Sequence, residues 1–218
     1  MPSLLATPVK ARWCYAAALR LHCRAMTAHP DYRILTVARL EHAALAAGDF
    51  SFDVTAVAAP PFGADDIDTI VPVTRYRKSY GEHVEDLVPQ EDGALFAACA
   101  NDALCGYLAV TRDWNGFALV DDVAVARRSR GAGLGRALMD AAREWAMSAG
   151  LAGLRLETQS TNVPACRFYR RYGFRLAGHD RMLYAAVPGL AHEVALFWYL
   201  VFADGDRRQA ASPEGPVR

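Results

Sequence analysis

The sequence predicts an α/β (α+β) protein in which helices pack on a mixed β-sheet. Two observations carry that prediction. Runs of alternating, β-branched and aromatic residues stop at turn signals. Two helical patterns fall between such runs in the second half, giving the order β–β–β, helix, β, helix, β–β. With 218 residues, 53% of them apolar and 22% charged, the chain can bury one sizeable core.

Residues 1–49 carry no assigned element and are read as an N-terminal extension. Lys10, Arg12, Arg20 and Arg24 occur there with no acid before Asp31, a bias that resembles a transit peptide. No clean secretory apolar stretch or cleavage site accompanies it, so an upstream start codon or a loosely ordered extension is the expectation. The domain is expected over 50–203. "FSFDVTAV" is its first strand. A polar, mixed stretch from Asp66 to Gly93 holds a second strand and a short helix. "ALFAACA" and "ALCGYLAVTRDW" form a hairpin about Asn101-Asp102, and "FALVDDVAVA" follows the turn at Asn115-Gly116. Leu134, Ala137, Leu138, Ala141, Ala142 and Trp145 recur at helical spacing, and Gly150 stops that helix. "LAGLRLETQ" is a strand. "NVPACRFYRRYGF" is a short helix, with Asn162 before it, Pro164 in its first turn and Gly173 at its end. "RLAGHDRMLYAA" and "HEVALFWYLVF" close as strands, and 204–218 reads as a disordered tail.

Composition excludes several functions. Zero net charge argues against a surface that tracks nucleic acid. The longest apolar run near the C-terminus, Val194–Ala203, is too short to cross a bilayer, so no membrane role is expected. Five cysteines without metal spacing read as reduced thiols in a cytoplasmic protein, and the six histidines show no metal spacing, so no metal is expected. His179 and His192 read as loop residues. "EVALFWYLVF" would offer a sheet edge to a second copy, which leaves a homodimer open.

"RSRGAGLGRALMDAAREW" (128–145) sets three glycines and three arginines directly before a helix. A helix N-terminus presents unpaired N–H groups and partial positive charge, and glycines let the backbone approach a ligand. The combination is an anion cradle whose usual guest is phosphate, with Arg130 and Arg136 adding charge at the rim. Gly135-Arg136-Ala137 lacks the lysine and hydroxyl of a nucleotide P-loop. Gly131, Gly133 and Gly135 run G-x-G-x-G, not the dinucleotide G-x-G-x-x-G, and too little chain follows for a doubly wound sheet.

"VAVARRSRGAGLGRALM" followed by "NVPACRFYRRYGF" resembles the two signature regions of the GNAT N-acetyltransferase superfamily. "RDWNGFALVDDVAV", "RKSYGEH", "LY" and "EVALFWYLVF" further resemble its streptothricin acetyltransferase group. The resemblance implies a GNAT fold: a mixed sheet of about six to seven strands flanked by helices, with a splayed pair of central strands. It implies direct acetyl transfer from acetyl-CoA to a primary amine of a small cationic molecule, streptothricin by group, in a ternary complex. Other amines (a polyamine, an aminoglycoside, a protein lysine) or a CoA-binding sensor without turnover are the alternatives.

The same resemblance implies site residues. Arg130, Gly131, Ala132, Gly133, Leu134, Gly135 and Arg136 hold the pyrophosphate. Val123, Ala124 and Val125 line the acetyl and pantetheine arm, with the Val123 amide as oxyanion donor. Asn162 meets the pantetheine or phosphate part, and its reading as a helix N-cap can coexist. Tyr169 protonates the departing sulfur, although aromatics on a short helix also pack in cores. For the base, strict alternation in "LVDDVAV" sends Asp121 and Asp122 to opposite faces unless a bulge intervenes. Asp122 is taken as base and Asp121 as amine recognition. Glu157, on the acceptor side, and Trp114, as a pocket wall, are candidate substrate contacts. Cys166 is read as buried and inert, with no nearby histidine in sequence to activate it.

Overall fold

The computed structural model describes residues 24–29 (backbone only), 31–63, 67–80 and 85–203. Ten strands and three α-helices follow in chain order: β1 (Arg24–His29), β2 (Tyr32–Thr36), α1 (His42–Ala46), β3 (Phe52–Ala59), β4 (Thr69–Lys78), β5 (Gly93–Ala100), β6 (Ala103–Arg112), β7 (Ala118–Val125), α2 (Leu134–Ser148), β8 (Gly153–Gln159), α3 (Val163–Tyr172), β9 (Arg175–Asp180) and β10 (Ala195–Val201). Eight strands form one sheet in the order β1-β2-β5-β6-β7-β8-β10-β9, and β3 and β4 pair as a separate ribbon. β7 and β8 are parallel, and all other neighbours in this sheet are antiparallel.

The mixed sheet with packed helices agrees with the sequence, and four details differ. The sheet has eight strands rather than six or seven, because β1 and β2 precede Phe50: β2 pairs with β5 from Arg33↔Cys99 to Thr36↔Phe96. The domain therefore starts no later than Arg24, while residues 1–23 and 204–218, with the expectations made for them, lie outside the described residues. Within 67–80 and 85–92 β4 is the one regular element, so the short helix expected there is not found among the described residues. The strand expected through Ala186 ends at Asp180, and His179, expected in a loop, sits in it with its ring tilted against Phe62 at 4.8 Å. β10 lies between β8 and β9, so it presents no sheet edge for a second copy.

The helix after the glycine loop forms where the periodicity puts it. Leu134, Leu138, Met139, Ala141, Ala142 and Ala146 are its buried residues, packed on the core with Leu108, Val110, Val120, Leu154, Leu156 and Trp198. Each fully buried Leu or Met there contributes about 1.5–3 kcal/mol. The opposite face of the sheet is a smaller cluster of Leu35, Val37, Leu95, Ala97, Tyr107 and Ala109 under Leu45 of α1. Among the described residues no helix is long and apolar enough to cross a membrane.

Candidate active site

The sheet opens in its middle. β7 and β8 pair over Ala118↔Leu154, Leu119↔Arg155 and Val120↔Leu156. β7 then continues to Val125 and β8 to Gln159 without pairing each other. The amide of Ala126 donates to Cys105 O (2.8 Å) on the β6 side. Backbone groups alternate along a strand, so Val123 and Val125 direct theirs the other way, into the opening, and Ala124 directs its own to β6.

α2 begins at one end of this opening. Gly133 precedes it at φ 82°, and no side chain caps the helix. Gly131 is likewise left-handed at φ 83°, and a Cβ built there would meet nothing within 4 Å. Both positions suit glycine and keep the approach to the first-turn N–H groups clear. Gly131, Ala132 and Gly133 are exposed, whereas Leu134 is buried and offers only its backbone. Gly135 packs against Phe168 and Val125.

The loop arginines divide their work. Arg130 does not stand at the rim as expected: its guanidinium donates to Val125 O (3.0 Å), Phe50 O (3.0 Å) and Ser51 O (2.8 Å). Burial pulls its pKa down. Arg127 pairs with Asp53, and its amide donates to Asp49 O (2.7 Å). Both therefore clamp the loop to the start of β3. Arg136 is exposed, with its guanidinium carbon 5.5 Å from the Tyr172 ring centre and its Nε 3.8 Å from Asp140.

A bulge corrects the alternation argument for the two aspartates. Ala109 of β6 pairs with Asp122, but the next residue, Val110, pairs with Val120. Asp121 is the extra residue, and a bulge re-aims side chains. Asp122 accepts from the Tyr107 hydroxyl (3.0 Å), and Asp121 accepts from the Thr111 hydroxyl. Tyr107 belongs to the α1-side cluster, while Val110 and Val120 belong to the α2-side core. Both carboxylates thus turn away from α2 instead of dividing between the faces. Burial, then the nearby charge of Asp113, raises the pKa of Asp121, against the Thr111 hydrogen bond and Arg155.

Glu157 joins them from β8. Leu154 and Leu156 face the α2-side core, so Arg155, Glu157 and Gln159 face the other way. Glu157 Oε1 accepts from the Tyr184 hydroxyl (2.5 Å). Burial, then the charge of Glu193, raises its pKa, opposed by Tyr184 and Lys78. Just beyond, the Lys78 ammonium pairs with Glu193, which is 2% exposed, and donates to Gln159 (2.8 Å) and Thr161 (3.2 Å).

Tyr169 enters from the α2 side. It is 6% exposed among Phe168, Phe174 and Trp198. Burial above all raises its pKa, with added contributions from Tyr80, Cys166, Asp122 and Glu157. The phenol therefore stays protonated at neutral pH, and the sequence-distant Tyr169, Asp122 and Glu157 lie within one electrostatic neighbourhood. Asn162 caps α3, its side chain accepting from the Ala165 amide (3.2 Å) and donating to the Tyr80 hydroxyl (2.8 Å). Its capping role is thus seen directly.

Trp114 does not wall this opening. It is 92% exposed in the β6–β7 turn, at the end where β7 and β8 still pair. Tyr107, Thr111, Tyr80, Lys78, Tyr184 and Glu193 were not singled out from the sequence. The segments that carry the family resemblance contain four of them (Lys78 and Tyr80 in "RKSYGEH", Tyr184 in "LY", Glu193 in "EVALFWYLVF") without marking a role for any. Cys166 is buried, and no His/Cys/Asp/Glu group suited to a metal occurs among the described residues.

A glycine-led helix start beside splayed parallel strands defines an acyltransferase architecture, and the comparisons agree. Residues 64–174 match the Acetyltransferase (GNAT) family, and the chain belongs to that family. A streptothricin acetyltransferase from Escherichia coli is 38% identical over 127 residues, covering 58% of this chain and 71% of that protein. Streptothricin acetyltransferase A from Bacillus subtilis (strain 168) is 39% identical over 134 residues, covering 59% and 77%. A Bacillus anthracis protein described as a streptothricin acetyltransferase, solved with acetyl coenzyme A, superimposes with a TM-score of 0.65. It is 30% identical, covering 78% of this chain and 99% of that one.

Proposed function

We propose that this chain transfers the acetyl group of acetyl-CoA to a primary amine on a small cationic acceptor, streptothricin, by direct attack in a ternary complex. One observation carries the reading: the unpaired ends of β7 and β8 open beside the uncapped start of α2, with buried Tyr169 on one side of the sheet and the carboxylates of Asp122 and Glu157 on the other. The relatives' printed names and the bound acetyl coenzyme A of the Bacillus anthracis structure support it. The uncapped start of α2 fits a diphosphate, since Gly131 and Gly133 leave its donors accessible.

Acetyl-CoA, when bound, supplies an activated thioester. Gly131, Ala132, Gly133, Leu134 and Gly135 would hold its diphosphate through the backbone, with Arg136 at the rim. Val123 and Val125 would line its arm, with Ala124 between them paired to β6, and the Val123 amide would be the donor for the carbonyl oxygen. Tyr169 holds the proton that the departing thiolate needs. Asp122 accepts the proton of the incoming ammonium, directly or through water, and Asp121 and Glu157 attract its remaining positive charge. The reading implies a cytoplasmic enzyme that would confer streptothricin resistance.

The test is thiol release from acetyl-CoA by purified protein with streptothricin, with the product mass checked. Streptothricin-dependent release and a gain of one acetyl group are expected. Acetyl-CoA binding without thiol release over a broad amine panel would instead identify a sensor.

A further inference from the structure

Segment 181–192 between β9 and β10 brings Tyr184 back onto the acceptor side of the sheet. Its hydroxyl donates to Glu157 Oε1, and no described residue hydrogen-bonds to the second oxygen, Oε2. The carboxylate is half-buried and half-engaged, oriented by one phenol and open at its other oxygen. An unpaired carboxylate oxygen in such a setting is a receptor for a charged donor.

Resting on the acetyltransferase reading above, we propose that Tyr184 is a positioning residue for the acceptor. It fixes the Glu157 carboxylate so that Oε2 receives an ammonium group of the substrate other than the one acetylated. The acceptor class is therefore a molecule with at least two amino groups. The groups that act on Glu157 are Tyr184 and Glu193 from the segment before β10 and Lys78 from β4, and Tyr169 of α3 also interacts with it. Tyr80, after β4, also acts on Tyr184. Lys78 is already engaged by Glu193, Gln159 and Thr161. The Tyr184 phenol, its pKa raised by burial and by Glu157, remains a donor at neutral pH.

The sign of the pH effect follows. Tyr184 stabilises ionised Glu157, so removing its hydroxyl moves Glu157 titration to higher pH. In Tyr184→Phe, KM for a diamine acceptor should rise about tenfold while KM for acetyl-CoA stays unchanged. The acidic limb of kcat/KM for the acceptor should move up by about one pH unit. In a Glu157→Gln background, adding Tyr184→Phe should no longer move the acidic limb or raise KM further, because the carboxylate that Tyr184 orients is gone. A monoamine of similar size should lose little from Tyr184→Phe.

A second readout does not need turnover: the Glu157 carboxyl carbon is followed through a pH titration by carbon-13 NMR in wild type and Tyr184→Phe. An upward displacement in the variant supports the proposal. Coincident titrations, or an equal loss for monoamine and diamine, overturn it. Wild-type protein that turns over no amine refutes the acetyltransferase reading instead, and the carboxyl titration still decides whether Tyr184 governs Glu157.

Discussion

The two helices beside the β7–β8 opening begin in opposite ways. α3 starts at Asn162, which satisfies the Ala165 amide with its own side chain, and carries Pro164 in its first turn. α2 starts at a left-handed Gly133 that caps nothing. A capped terminus is finished within the chain, whereas an uncapped one retains donors for a ligand. The same contrast divides the whole site. On the proposed reading, the coenzyme side is made of backbone, from the glycine loop to the Val123 and Val125 amides. The acceptor side would then be made of side chains: Asp122 on Tyr107, Asp121 on Thr111, Glu157 on Tyr184 and Glu193 on Lys78.

If that division is right, the two sides should break differently. Lys78→Met leaves the carboxylate of buried Glu193 without its cation, so urea unfolding should show a loss of about 3 kcal/mol or more. Replacing both partners with apolar residues should recover much of it, because breaking a buried pair costs more than removing it. On the coenzyme side the sensitive position is a glycine. Gly133→Asp sets a negative charge in the cradle and should weaken acetyl-CoA binding by about 100-fold, or about 2.7 kcal/mol, in calorimetry. Gly133→Asn tolerates the same left-handed backbone without the charge and should lose much less. Equal losses in the two would make shape, not charge, the basis of the cradle.

Smaller effects on stability are expected at a helix cap and at an exposed turn. Asn162→Ala removes the α3 cap and should cost about 1 kcal/mol in denaturant unfolding. Trp114→Ala, far out in solvent, should change stability by less than about 0.5 kcal/mol and leave both KM values unaltered.

The backbone half of this site is legible in sequence because its signals are local. Glycines at 131 and 133, a helical period from Leu134 and a Pro164/Gly173 bracket each act within one turn of chain. The side-chain half depends on long-range pairing. Asp121 and Asp122 share a face because β6 runs Ala109 to Val110 while β7 runs Asp122 to Val120, a register nothing in "LVDDVAV" announces. Lys78 and Glu193 are 115 residues apart. β1 and β2 are only six and five residues long, too short for alternation alone to mark them as strands. Trp114 and Arg130 lie elsewhere than residue type suggests. Residue type suggested a role, but the turn sends one into solvent and three carbonyls claim the other.

The proposed mechanism sets an acid on one side of the β7–β8 opening and carboxylates on the other. The most direct measurement is kcat for acetyl transfer to streptothricin by Tyr169→Phe, with acetyl-CoA affinity measured on the same sample. The account predicts a fall in kcat of about 100-fold or more with acetyl-CoA affinity unchanged. An unaltered kcat would contradict it and return Tyr169 to the aromatic core that surrounds it.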